Sequence, residues 1–258
     1  MSDLIVVKIG GSVAGEDAAA LDVIAALEDA GHALVVVHGG GPLVSEWATS
    51  LGQQTRFVRG LRVTDEPMRD VALAVLAGLA NARIVAALTA RAVPAVGLSG
   101  IDGGILRAIR EDPELGLVGR ITKVDSALLE ELVDAGRVPV VAPAAFEERA
   151  EGEVEVLNVN ADSAAGAIAA SLGARLLVFI TDVPGVRGKD GKVIPTLDRD
   201  RAKALVDDGT IEGGMLPKVE ACLIAAGAGC RAAIVDARSA DAIERLLAGE
   251  RAGTVFTA

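Results

Sequence analysis

Short apolar runs recur along this chain at the spacing of strand–helix units, and that recurrence limits its fold more than any other feature. They fall at residues 4–9, 33–37, 94–98, 138–142, 175–180 and 232–235, with 253–256 closing the chain. Runs of this length, bounded by glycine, proline or polar turns, read as strands buried on both faces. Between them lie segments with helical periodicity. The first, 16–30, runs through Leu21, Ile24, Ala25 and Leu27 and is stopped by Gly31. Segment 43–51 has Pro42 in its first turn, and 66–91 has Thr64 or Asp65 as N-cap with Pro67 just inside. Further helices are expected over 126–135, 163–172, 200–207, 219–228 and 240–247. The alternation predicts an α/β fold with an open, mainly parallel central sheet sandwiched between helices. Two stretches break the pattern and read as β-hairpin insertions: 54–63, around Gly60, and 105–123, interrupted by Glu111-Asp112-Pro113-Glu114. The acidic stretch 147–155 is expected to be a mobile, solvated loop.

With 258 residues the chain can form one large domain or two modest lobes. No apolar run in the sequence reaches the length of a spanning helix, so no membrane association is expected. The first residues enter a strand directly, without a basic and apolar signal segment, which predicts a cytoplasmic protein. Cys222 and Cys230 sit in alanine-rich surroundings without metal-ligand spacing, as buried thiols would in a reducing compartment. A net charge of −11 argues against a nucleic-acid surface, and 2% aromatic residues with no tyrosine leave no base-stacking platform. Only six of the 25 basic residues are lysines, so surface duty falls to arginine and each lysine carries information. Lys189, Lys192 and Lys203 have polar neighbours and read as solvated. Lys123 follows a strand. Lys8 and Lys218 stand beside glycine-rich turns.

Lys8 interrupts the first apolar run just before Gly10 and Gly11. A buried ammonium is costly without a partner, although a strand-end lysine can also reach solvent. His38-Gly39-Gly40-Gly41-Pro42 joins a strand to a helix, which makes a ready anion site and equally a tight structural turn. It is not the dinucleotide-binding fingerprint, because the glycines are contiguous and no acidic residue ends the next strand. Arg62 precedes a helix start, where a guanidinium could fork a carboxylate or simply face solvent. Asn158, Asn160 and Asp162 recur at spacing two and are expected on one face of an extended segment. Capping can explain Asp162 or Asn160 but not all three, so a site is expected there. The polar turn from Thr181 to Val186 follows a strand, at the end where open α/β sheets bind ligands. Gly213-Gly214-Met215-Leu216-Pro217-Lys218 opens an apolar helix with a second lysine at a glycine-rich start.

Six motifs in order, Lys8-Ile9-Gly10-Gly11-Ser12, His38-Gly39-Gly40-Gly41-Pro42, Gly60-Leu61-Arg62-Val63-Thr64-Asp65, Asn158-Val159-Asn160-Ala161-Asp162, Thr181-Asp182-Val183-Pro184-Gly185 and Gly214-Met215-Leu216-Pro217-Lys218, resemble those of the amino acid kinase family. The likeness spans nearly the whole chain. The third and fourth motifs are similar to members that act on N-acetyl-L-glutamate. The resemblance implies ATP-dependent phosphorylation of the side-chain carboxylate of that substrate, in arginine biosynthesis, with Mg2+ carried on the nucleotide. It implies that Lys8 and Lys218 stabilise the transferring phosphoryl group and that Asp162 orients them. Gly10, Gly11, Gly40 and Gly41 would supply backbone N–H groups to phosphates and substrate. Arg62, Asn158 and Asn160 would hold the substrate, with Arg62 on its α-carboxylate. Thr181, Asp182, Val183, Pro184, Gly185 and Val186 with Thr210, Ile211 and Glu212 would form the nucleotide site. By the same resemblance, residues 1–174 would form a substrate-binding and dimerisation lobe, and 175–258 an ATP-binding lobe.

The long helix 66–91 is the expected dimer element. Arginine-inhibited hexameric relatives use an N-terminal helix that precedes the first strand, so a homodimer insensitive to arginine is expected. Three other readings remain. A sister kinase acting on carrier-protein-linked aminoadipate or glutamate would need a basic docking face. A non-catalytic nucleotide- or anion-binding relative should lack one of Lys8, Asp162 and Lys218. A dinucleotide-dependent oxidoreductase lacks its fingerprint here.

Overall fold

The computed structural model describes residues 4–10, 18–236 and 240–258. The first strand, Leu4–Ile9, is buried along its whole length and lies in the middle of the sheet. It pairs in parallel with Ala33–His38 on one side and Leu176–Thr181 on the other, placing Lys8 opposite Val37 and Phe179. The full order across the eight strands is Thr196–Leu197, Thr254–Phe256, Arg231–Asp236, Leu176–Thr181, Leu4–Ile9, Ala33–His38, Val138–Ala142 and Ala95–Ser99. Only the pairing of Arg231–Asp236 with Thr254–Phe256 is antiparallel. The expected mainly parallel sheet is therefore present, and it is continuous across residues 174 and 175.

Side-chain alternation along that central strand sorts the molecule into layers. Ile5, Val7 and Ile9 face a core shared with Leu21, Ile24, Ile84, Leu88 and Ile243. Leu4 and Val6 face the opposite core, made with Ile168, Val219, Cys222 and Ala225. Lys8 follows the second set, so it emerges on the same side as the helices Ala161–Ser171 and Met215–Gly227. Those two helices cross closely because Gly166 has no side chain. A Cβ there would lie 2.8 Å from the Ala221 carbonyl oxygen and 2.9 Å from Ala221 Cα. Gly166→Ala is thus expected to cost about 1–3 kcal/mol through overpacking. An unchanged thermal midpoint would contradict this.

Asp65 caps the long helix through its Oδ1, which accepts from Met68 N at 2.9 Å. The helix runs Glu66–Thr89, with a π-helical stretch at Ala74–Ala80. By length and composition this helix could cross a membrane, which corrects the reading that no segment reaches that size. Arg69, Asp70 and Arg83 interrupt its apolar runs in sequence. Its buried residues Met68, Val71, Val75, Leu76, Ile84 and Leu88 pack inside the fold.

A second correction concerns residues 147–155. Ala144–Glu148 and Val154–Val159 pair antiparallel, and with Leu106–Arg110 and Val118–Val124 they close a small four-stranded barrel. Glu155 is not a solvated loop carboxylate. Arg110 Nη2 donates to its Oε2 at 2.5 Å, Arg149 pairs with the same oxygen, and Arg69 Nη1 reaches its Oε1 at 3.5 Å. The other insertion forms the expected hairpin, Phe57–Val58 with Leu61–Arg62.

Candidate active site

One cavity of about 400 Å3 opens at the C-terminal ends of the central strands. Lys8, Gly39, Gly40, Gly41, Arg62, Asn158, Asn160, Asp162, Gly214 and Lys218 all line it. The structure therefore gathers residues from five separate motifs at one place.

Two lysines meet one carboxylate at its base. Lys8 Nζ lies 2.5 Å from Asp162 Oδ1, and Lys218 Nζ lies 2.8 Å from Asp162 Oδ2. Lys8 and Asp162 are both 4% exposed. Asp162 occupies the first turn of Ala161–Ser171, not an extended segment, because Asn160 is the N-cap. The Asn160 Oδ1 accepts from Asp162 N at 2.8 Å and Ser163 N at 3.1 Å. The expected shared face of three side chains is thus split: Asn158 lies within the strand Val154–Val159, Asn160 caps, and Asp162 turns toward the lysines. Lys218 lies inside its helix, which begins at Met215 rather than at 219, with Pro217 tolerated in the first turn. Its ammonium also donates to Gly214 O at 3.3 Å.

Burial pulls the Lys8 ammonium below its ordinary range; Asp162 opposes this, and the Lys218 charge adds to it. Burial pushes the Asp162 carboxyl up, but the two lysines outweigh it and the net shift is downward. Two ammoniums on one carboxylate leave an unbalanced positive charge at the base of the cavity, and such a site favours an anion.

Arg62 supplies a third cation. Its Nη2 donates to Gly41 O at 2.7 Å and Ser45 Oγ at 2.9 Å, and its guanidinium stacks over Phe57 at 4.8 Å. The Nη1 is buried with no hydrogen-bond partner among the described residues, although Arg62 lines the cavity. A buried donor left open in this way calls for an acceptor from a ligand. Asn158 Nδ2 donates to Thr64 Oγ1 at 3.2 Å, and that hydroxyl donates to Arg62 O at 2.8 Å. Thr64, fully buried, therefore ties the Arg62 loop to the Asn158 strand. Its place beside the capping Asp65 was the only sequence signal for that role. The apolar wall of Val44, Ala72, Leu76, Val118 and Pro143 had no sequence signal at all.

The other site residues lie apart from this cavity. Thr181 Oγ1 folds into its own turn, accepting from Val183 N at 3.1 Å and donating to Val183 O at 2.9 Å. Asp182 and Glu212 are exposed, and the side chains of Val186 and Ile211 belong to the core, so only their backbones could face a nucleotide. Thr210 Oγ1 donates to Asp208 Oδ1 at 2.5 Å. Pro184 and Gly185 complete the first turn, with Gly185 buried against Thr254 and Val193. Gly10 follows the first strand beside Ile180 O, and Gly11 lies outside the described residues. Among the described residues no group of three or more His, Cys, Asp or Glu could hold a metal ion.

An α/β sheet whose strand ends bring two lysines onto one aspartate beside a glycine loop places the protein in a known class. The chain belongs to the amino acid kinase family, whose profile matches residues 3–236. Among curated proteins, the acetylglutamate kinase of Dehalococcoides mccartyi is 43% identical over 98% of this chain and 94% of its own length. That of Methanopyrus kandleri is 44% identical over 89% of this chain and 93% of its own. Among solved structures, smu.665 from Streptococcus mutans superposes with a TM-score of 0.84 at 28% identity, covering 100% of this chain and 99% of that one.

Proposed function

We infer that this chain transfers the terminal phosphoryl group of ATP to the side-chain carboxylate of N-acetyl-L-glutamate, forming an acyl phosphate. The near full-length likeness to acetylglutamate kinases supports the substrate. The single observation that carries the chemistry is the buried Lys8–Asp162–Lys218 cluster with its surplus positive charge. A glutamate side chain ionises near pH 4.3, so the nucleophile needs no general base at neutral pH. The difficulty is electrostatic, since a carboxylate must approach a polyanion. Lys8 and Lys218 would neutralise charge on the transferring group, with Asp162 holding their spacing. The open Arg62 Nη1 would take the α-carboxylate, Asn158 would hold the substrate, and the free face of Asn160 would border it. Gly10, Gly11, Gly40 and Gly41 would offer backbone N–H groups.

The turn Thr181 to Val186 and the segment Thr210 to Glu212 would hold the nucleotide, so residues 1–174 and 175–258 would act as substrate and nucleotide lobes of one sheet. Mg2+ would enter on the ATP phosphates; among the described residues the one buried carboxylate beside the transfer site is already taken by two lysines. A cytoplasmic homodimer is the proposed state, with the outward face of Glu66–Thr89 as the contact. Ala74, Gly78, Ala82 and Ala86 are exposed on that helix and would let two copies approach closely. Light scattering should give a mass near two chains; a monomer would refute the contact.

The test of function is ATP consumption by the purified chain with N-acetyl-L-glutamate, free glutamate, aspartate and carbamate in parallel. Turnover is expected with the first alone, and activity only on another acceptor would overturn the assignment. Arg62→Lys should raise the KM for N-acetyl-L-glutamate about tenfold or more while leaving the KM for ATP unchanged, because a compact ammonium cannot hold Gly41 O and Ser45 Oγ and also present the second donor that Nη1 offers. Equal KM values for wild type and variant would remove Arg62 from the substrate.

A further inference from the structure

His38 ends the second strand as a fully buried imidazole, and its two ring nitrogens meet different demands. Nδ1 lies 2.8 Å from Gly39 O, which can only accept, so Nδ1 must carry a proton. Nε2 lies 3.1 Å from Asn81 Nδ2. That amide nitrogen also faces Val140 O at 2.8 Å and Leu98 O at 3.3 Å. Both carbonyls are acceptors, which fixes the NH2 end of Asn81 toward this corner and rules out the flipped amide. One amide hydrogen goes to Val140 O and the other is shared between Nε2 at 3.1 Å and the longer Leu98 O contact; a protonated Nε2 would set two donors against each other, so Nε2 is the unprotonated nitrogen. Both neighbours therefore select the same neutral tautomer, with the proton on Nδ1. Burial also holds the ring's pKa down to about 4, with the Lys8 charge acting the same way, so it stays neutral at working pH.

Gly97 makes room for this arrangement. A Cβ there would lie 2.1 Å from Asn81 Oδ1. Asn81 itself sits immediately after the π-helical stretch Ala74–Ala80, where local helix geometry is reset.

The consequence falls on the glycine loop. In a planar trans peptide the C=O and N–H point in opposite directions. Holding Gly39 C=O against His38 turns the Gly40 N–H to the other side, and Gly40 lines the cavity. No described residue accepts from that N–H. We propose that Asn81 and His38 form a positioning relay that locks the Gly39–Gly40 peptide so that the Gly40 N–H is presented to the anionic reactants. His38 is then neither an acid nor a base. This rests on the kinase reading for the identity of the anion, but the geometry can be measured without it.

The chain has only two histidines, His32 and His38. Long-range proton–nitrogen NMR of the imidazoles should show His38 as the neutral Nδ1–H tautomer from about pH 6 to 8. An Nε2–H tautomer, or titration in that range, would overturn the relay. Asn81→Asp keeps the size but presents an acceptor to Nε2. It should move His38 to the Nε2–H tautomer, which releases Gly39 O, and should lower kcat about tenfold or more as an oxyanion-type donor is misaligned. His38→Asn keeps a donor near the Nδ1 position and should retain kcat within about threefold, whereas His38→Leu should lose about tenfold or more. Equal kcat in the two His38 variants would contradict the relay even if Asn81→Asp failed to fold. A wild-type chain with no turnover would refute the kinase reading while leaving the tautomer result readable. Normal turnover with the wrong tautomer would refute only the relay.

Discussion

Asp162→Asn is expected to lower kcat by about a thousandfold, the upper range for loss of one preorganised electrostatic element. The substitution preserves shape and removes the carboxylate that Lys8 and Lys218 share. Breaking a buried ion pair from one side costs about 3–5 kcal/mol when the remaining charge cannot relax. Here it can relax. Asp162 is what opposes the burial of Lys8, so without it the Lys8 pKa falls further below its ordinary value. A fraction of the variant should therefore hold Lys8 as a neutral amine, and its residual kcat should rise as pH is lowered. A flat profile with near wild-type turnover would show that Asp162 does not set the lysine charges. The stability sign follows from the same group. The Asp162 pKa is depressed in the folded state, so its contribution is present above the unfolded value of about 3.9 and is lost as pH falls through the folded value. Acid denaturation of wild type should show that loss, and Asp162→Asn should not.

Lys8→Met comes second in size and is cleaner in interpretation. Asp162 keeps Lys218 as a partner, and a methionine fits the apolar strand between Val37 and Phe179. Folding should survive. If Lys8 stabilises the transferring phosphoryl group by roughly 3 kcal/mol, kcat falls about a hundredfold or more with little change in either KM. Lys8→Arg should not rescue it, because the planar guanidinium is too large for a site 4% exposed. Unchanged kcat in Lys8→Met would end the two-lysine account.

Lys8, Asp162 and Lys218 were legible because each breaks a local rule: a charge in an apolar strand, a polar cluster before an apolar helix, a lysine at a glycine-rich start. The sheet was legible because six short apolar runs alternate with helical periods. What failed to show were effects that depend on distant partners. Glu155 looked solvated because the arginines that bury it lie in other elements, Arg69 being 86 residues away and Arg110 45. The role of Thr64 depends on Asn158, 94 residues on. The Glu66–Thr89 helix was misjudged for the opposite reason, since counting unbroken apolar runs ignores charges that a helix carries on one face. In the nucleotide segments, the side chains of Val186 and Ile211 turned out to serve the core, which a motif cannot distinguish from backbone contact.

The central claim is that phosphate is transferred to the side-chain carboxylate of N-acetyl-L-glutamate and not of free glutamate, and the most direct measurement is to trap the product. Incubating the chain with ATP, magnesium and N-acetyl-L-glutamate in hydroxylamine should yield one equivalent of the side-chain hydroxamate for each ADP, since an acyl phosphate is attacked at its carbonyl. ADP formed without hydroxamate, or hydroxamate formed equally from free glutamate, would contradict it.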